Sequence, residues 1–206
     1  MNGVRSDWRV RLPMRGRIDY RCAVANIEGK ATAITVLTPM TWWGPPLAKI
    51  VFWAARNVQS TLEKLRILSF IHYARWSMIE RFPDGGGGER LNHTYLYFES
   101  NFNGTWHQYI DAFSEVLALR MKAIWVSSIG FPGPLPVERF KDYIRHNEYV
   151  ASHYWSTYSG ETTTEIVSAG RVQAAFAEFH RRSAGLEPDV FKAAYEKFLT
   201  EVQRDL

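Results

Sequence analysis

Two short stretches set polar side chains among aromatic ones. The first, Ser69–Trp76, reads Ser-Phe-Ile-His-Tyr-Ala-Arg-Trp, and the second, Glu99–Trp106, reads Glu-Ser-Asn-Phe-Asn-Gly-Thr-Trp. Arg75 offers a planar guanidinium matched to an acidic or oxygen-rich group, and His72 offers a ring nitrogen. Side chains alternate along a strand, so His72, Ala74 and Trp76 share one face while Tyr73, Arg75 and Ser77 share the other. His72 and Arg75 then reach one pocket only across a bulge. In the second stretch Ser100, Asn101 and Asn103 precede a helix start, where free backbone amides favour anions. The same residues also suit a plain turn, with Asn103-Gly104 taking positive φ and Thr105 capping the helix. On the binding reading, Arg75 pairs with the ligand, Asn101 and Asn103 hydrogen-bond it, and Trp76, Tyr97 and Trp106 line the walls.

Other chemistries find less support. The six histidines are His72, His93, His107, His146, His153 and His180. None forms an H-x-x-x-H or H-E-x-x-H pair, so no preformed metal site is expected. For a bound haem, His153 and His72 on the open face of the sheet are the candidate axial ligands. There is no G-x-S-x-G, P-loop or G-x-G-x-x-G motif, and the glycines at 85–88 lack the Lys-Ser/Thr of a phosphate loop. The single Cys22 excludes a disulfide framework and a Cys-based zinc site, and makes a reducing, cytoplasmic setting the default. No catalytic constellation stands out, and whether the protein is an enzyme is left open.

The elements that must carry these residues follow from periodicity. Ala31–Thr38 is β-branched and limited by Pro39, which predicts a strand. Pro45-Pro46 opens a helix in which Leu47, Ile50, Val51, Ala54, Val58 and Leu62 recur at helical spacing. Ile67–Phe82 and His93–Phe102, on either side of the glycine turn, read as an antiparallel hairpin. Thr105 and Gln108 have capping-box spacing, and a helix is predicted from there to about Lys122. Val137–Arg145 reads as a short helix, and Tyr149–Tyr158 as a last strand ended by Gly160. Thr162 and Glu165 open a third long helix, and another starts near Pro188. The order β-α-β-β-α-β predicts a ferredoxin-like α+β sheet with helices on one face and the other face open to a second copy, as in a dimeric α+β barrel. The expected divisions are a basic N-terminal arm over 1–30, a ferredoxin-like domain over 31–160 and a helical C-terminal extension over 161–206.

Composition bounds the partners. The chain has 206 residues, 46% of them hydrophobic and 15% aromatic, too apolar for a disordered chain and long enough for a sizeable core. Its formal net charge of +4 is concentrated in residues 1–30, where Arg5, Arg9, Arg11, Arg15, Arg17, Arg21 and Lys30 face Asp7, Asp19 and Glu28. The rest of the chain is neutral. Trp8, Val10 and Leu12 alternate with arginines as in a short strand or extended arm, and no signal-peptide core is visible. Such an arm suits nucleic acid, anionic lipid or an acidic partner; the reading adopted is a solvated or subunit-embracing extension, with nucleic acid disfavoured. No stretch reaches the about 18 apolar residues of a membrane span. Trp42, Trp43, Phe52 and Trp53 suit the core, a dimer contact or the surface of a bilayer.

The two motifs carry a resemblance. Ser69–Trp76, then Tyr95–Trp106 with Tyr109-Ile110-Asp111, then Ala123–Trp125 with Gly130–Pro132 resemble a group of uncharacterised bacterial proteins with an I-H-x-A-R-W … L-x-F-x-S-N-x-[DN]-G-x-W-x-x-Y-[IL]-D pattern. That family is distantly similar to the dimeric α+β barrels that include dye-decolorising peroxidases and chlorite dismutases. The resemblance covers roughly residues 31–180 and implies the fold and no settled reaction. It points to His72, Arg75, Trp76, Ser100, Asn101, Asn103, Gly104, Trp106 and Tyr109. The Asp-Arg and proximal-His signatures of the haem enzymes are not recognisable in this chain. The leading expectation is a homodimeric ligand-binding module. A haem-dependent, peroxidase-like oxidoreductase and a peripheral membrane or assembly subunit of a larger complex are the alternatives.

Overall fold

The computed structural model describes residues 26–57, 68–82 and 88–206. Trp8–Leu12, Cys22, Val58, Leu62 and the glycines at 85–87 lie outside them. In chain order the elements are β1 (Ile27–Glu28), β2 (Ala31–Pro39), α1 (Gly44–Asn57), β3 (Ile71–Arg81), β4 (Arg90–Asn103), α2 (Trp106–Val116), α3 (Ala118–Trp125), α4 (Val137–Asn147), α5 (Thr163–Ser183) and α6 (Pro188–Val202). The four strands form one antiparallel sheet in the order β1-β2-β4-β3. The protein is thus α+β, with β3 and β4 paired antiparallel as expected and β3 at the edge of the sheet.

Alternation in β4 divides the two faces of the sheet. Leu96, Phe98, Ser100 and Phe102 are buried, while Tyr95, Tyr97, Glu99, Asn101 and Asn103 between them are only half-buried. The buried set joins Ile34 and Val36 of β2 in one core with Tyr109, Ile110, Phe113, Leu117, Met121 and Trp125 of the α2–α3 region and Phe140 and Ile144 of α4. Stacked and edge-on rings continue through it: Phe102 on Tyr109 at 4.0 Å, and Phe98 against Trp125 at 5.2 Å. Lys141, itself buried, ties α4 to α2 by pairing with Asp111 at 2.7 Å.

Three expectations change. Residues 149–158 do not form a strand. Glu148 makes a single antiparallel bridge to Val36, and the Tyr149 N–H donates to the Thr35 carbonyl, after which the chain leaves the sheet. Part of that edge is already taken, because β1 pairs with Ala31 and Thr32. Tyr149, Trp155 and Tyr158 are exposed. The helix expected from Thr105 to Lys122 is two helices, broken at Leu117, whose side chain turns into the core. In α1 the inward face is Gly44 and Ala48 rather than the stripe through Ile50, which is exposed. Small residues let the start of α1 lie close to the body: a Cβ on Gly44 would come 3.0 Å from Met40 Cβ and Ser127 Oγ.

The caps at Thr105 and Thr162 form as capping boxes with Gln108 and Glu165. The C-terminal pair α5–α6 closes on itself through Phe176, Phe179, Phe191, Tyr195 and Phe198, and Arg171 pairs with Asp205. Its root is fixed to the sheet, since the Thr163 N–H donates to Asn103 Oδ1 at 2.9 Å and Lys30 pairs with Glu165 at 2.8 Å.

The turn between β1 and β2 sits against the coil after Tyr158. The Lys30 N–H donates to the Ser159 carbonyl at 2.6 Å. Gly29 has φ +58°, and a Cβ there would come 2.1 Å from Ser159 O. Gly29→Ala therefore combines left-handed strain with overlap against a backbone atom, and is expected to cost about 1–3 kcal/mol in urea unfolding. A loss below half a unit of that scale would show that the turn moves freely away from Ser159.

Candidate functional site

The site begins with strand register. Ile71 pairs with Phe102 and Tyr73 with Asn101, so His72 is an extra residue and β3 is bulged there. Beyond the bulge Arg75 stands directly opposite Glu99, and Ser77 opposite Tyr97. These side chains fall on the face of the sheet away from the aromatic core. Four of them converge: the Tyr73 hydroxyl donates to Glu99 Oε1 at 2.8 Å, Arg75 Nη2 to Oε2 at 2.6 Å, and the Tyr97 hydroxyl to Oε2 at 2.9 Å. The Arg75 guanidinium also lies 5.6 Å from the centre of the Tyr97 ring.

Electrostatics fix the roles. Partial burial acts to raise the Glu99 pKa, but the bonds from Tyr73 and Tyr97 and the charge of Arg75 together outweigh it and hold the carboxyl below its ordinary range. Burial first, and Glu99 second, push Tyr73 up to about 12 and raise Tyr97 as well. The carboxylate stays charged and holds three donors, and the phenols stay protonated. None of these groups is poised as a base or nucleophile near neutrality. Glu99 is mostly covered, with 22% of its side chain exposed, whereas 61% of the Arg75 side chain is exposed. The arrangement presents a braced cation to solvent, which suits recognition of an anion.

The structure distributes the other sequence candidates over several places. Tyr97 and Asn101 share the Arg75 face. His72 sits in the bulge, where burial lowers its pKa and the Asn103 side chain acts in the opposite sense. Asn103 is engaged as a strut: its Nδ2 donates to the Lys30 carbonyl at 3.1 Å and its Oδ1 receives the start of α5. Trp76 faces the core, between Phe52 and Phe98. Ser100 is buried and donates to the Tyr73 carbonyl at 2.8 Å, bracing the strands behind the bulge. Tyr109 is buried between Phe102 and Phe113, and burial raises its pKa. Gly104 takes φ +100°, and Thr105 and Gln108 satisfy the first amides of α2, in keeping with the turn-and-cap reading of that segment. His153 is exposed on the coil after α4.

Trp106 belongs to a second cluster. Its Nε1–H donates to Glu148 Oε2 at 2.9 Å, the Arg145 guanidinium lies 4.7 Å over its ring, and Arg145 Nη2 meets His107 Nε2 at 2.9 Å. Desolvation pushes the Glu148 carboxyl from 4.5 up to about 7, against the opposing pull of Trp106 and Arg145. Sequence reasoning passed over Glu148, Glu99 and Tyr73. For the last two a signal existed: pairing the two motifs across a hairpin sets Arg75 opposite an acid.

One cleft runs along Met78–Phe82 and another lies between α5 and α6, and neither of these includes Arg75 or Glu99. The Arg75 face is an open shelf. Among the described residues no group of three or more His, Cys, Asp or Glu is placed to hold a metal ion, and no helix is long and apolar enough to cross a membrane. The chain matches no protein-family model, no curated protein and no solved structure.

Proposed function

We propose that the protein is a binding module whose open sheet face takes an acidic or oxygen-rich small molecule on Arg75. The observation that carries this reading is the braced guanidinium: Glu99 holds one side of it, Tyr97 supports it, and most of its side chain faces solvent. Tyr97 supplies a wall and Asn101 a nearby amide on the same face. The proposed fold is ferredoxin-like, of the dimeric α+β barrel type. Its support is the adjacency of β2, β4 and β3, the helices packed against one face of the sheet, and the bridge at Glu148 on the edge where a fourth strand would lie. A second copy laid over the shelf would enclose it.

The test is calorimetric titration with a panel of mono-, di- and tricarboxylates, beside light scattering for oligomeric state. A carboxylate is expected to bind, and Arg75→Ala to weaken it by about tenfold to a hundredfold, the range for a charged hydrogen bond. Glu99 retains Tyr73 and Tyr97 as donors in that variant, so the fold should persist. Equal binding by Arg75→Ala would remove the shelf as the site. A Soret band in protein expressed with haem supply would replace this reading by the haem-dependent one.

A further inference from the structure

Along α1 and the turn before it the chain carries no acid. Between Pro39 and Asn57 the only charged residues are Lys49 and Arg56, both exposed. On the same surface Trp42 is 90% exposed, Trp53 66% and Ile50 63%, with Trp43 also in contact with solvent. Helical spacing puts Pro46, Lys49, Ile50, Trp53 and Arg56 on one outward stripe, opposite the inward Gly44 and Ala48. The neighbouring α3 adds an outward row of Leu119, Lys122 and Val126, and no acid occurs from Val116 to Val137. The two segments are joined where the Thr41 N–H donates to the Ser127 carbonyl at 2.8 Å, one residue from Trp42 and one from Val126.

We infer that this surface docks on an anionic lipid bilayer, with Trp42, Ile50 and Trp53 entering the interface and Lys49 and Arg56 meeting the headgroups. Tryptophan combines a large apolar ring with one N–H donor and partitions to the boundary between headgroup and hydrocarbon. Lysine and arginine flanking an apolar stripe supply the attraction to negative lipid, with their stems lying along the apolar surface. Complementarity of charge selects the occupant. A second copy of the same surface would bring Lys49 and Arg56 against like charges, with no acid in these two segments to answer them. The site is separate from the Arg75 shelf and does not depend on a ligand there.

The test uses the full chain with vesicles of phosphatidylcholine alone and of phosphatidylcholine with an equal part of phosphatidylglycerol. Wild type is expected to sediment with the anionic vesicles only, to be released by high salt, and to shift its tryptophan emission to shorter wavelength on binding. The double variant Trp42→Ser, Trp53→Ser is expected to bind at least about tenfold more weakly, and to keep the wild-type urea midpoint because both rings are exposed. Wild-type binding by the double variant would assign the attraction to the arginines of residues 1–30 and overturn the proposal. So would absence of binding to either vesicle, or a self-association that the variant abolishes without any vesicle binding.

Discussion

Glu148→Gln is expected to stabilise the protein at pH 8 by up to about 3 kcal/mol and to flatten its stability between pH 5 and pH 8. Burial raises the pKa of Glu148 from 4.5 to about 7 in the folded chain. A carboxyl with a raised folded pKa binds more protons folded than unfolded over that window. Stability is therefore highest below pH 4.5 as far as this group is concerned, and falls as pH rises through 7, where a charged carboxylate must sit desolvated beside Trp106. The glutamine oxygen can still accept from Trp106 Nε1, so the bond at 2.9 Å is kept while the charge is removed. Near pH 5 the side chain is neutral in the folded wild type, and the two proteins should differ by less than about 1 kcal/mol. Urea titrations at both pH values check this. Parallel losses of stability in the two proteins from pH 5 to pH 8 would show that Glu148 is solvated.

The second large effect lies one residue from the Arg75 shelf. Phe98→Ala is expected to cost about 3–5 kcal/mol, lowering the melting temperature by roughly 10 °C or more. Phe98 is 3% exposed and touches three aromatic rings: Trp76 at 5.1 Å, Trp125 at 5.2 Å and Phe113 at 6.3 Å. These belong to β3, α3 and α2, so the cavity opens where sheet and helices meet and no single element can collapse to fill it. Tyr97→Ala, on the opposite face, removes one hydrogen bond to Glu99 and a half-buried ring, and should cost about 1 kcal/mol. The ratio between neighbours reads out which face of the sheet is packed. Equal losses would mean that the shelf is covered in solution, as it would be in a tight dimer, and light scattering would then show the second copy.

How much of this was legible beforehand depended on the range of the interactions involved. The β3–β4 hairpin, the capping boxes at Thr105 and Thr162 and the last two helices follow from local patterns: alternation, a hydroxyl three residues before a reciprocal acceptor, a proline at a helix start. Those are decided within a few residues of chain. The strand expected at Tyr149–Tyr158 has strand-like composition, yet β1 occupies part of the β2 edge and leaves it only a bridge at Glu148. Competition for an edge cannot be seen in the segment that loses it. Ile50 fits an inward helical stripe by spacing, but the approach of Gly44 to Met40 and Ser127 rotates α1 so that Gly44 and Ala48 face in.

The site divides in the same way. The sequence by itself determined that Ser69–Trp76 and Glu99–Trp106 are the polar stretches, that Arg75 is their cation, and that His72 shares its face only through a bulge. Tertiary structure alone decided that the bulge exists and that Arg75 stands opposite Glu99. It also decided that Tyr73 and Tyr97 close on the same carboxylate while Trp76, Ser100 and Tyr109 turn into the core. Spacing along one strand fixes which side chains share a face. Which side chains meet across strands, and which face is buried, is set by register and by the helices that cover the sheet, and those are properties of the assembled chain.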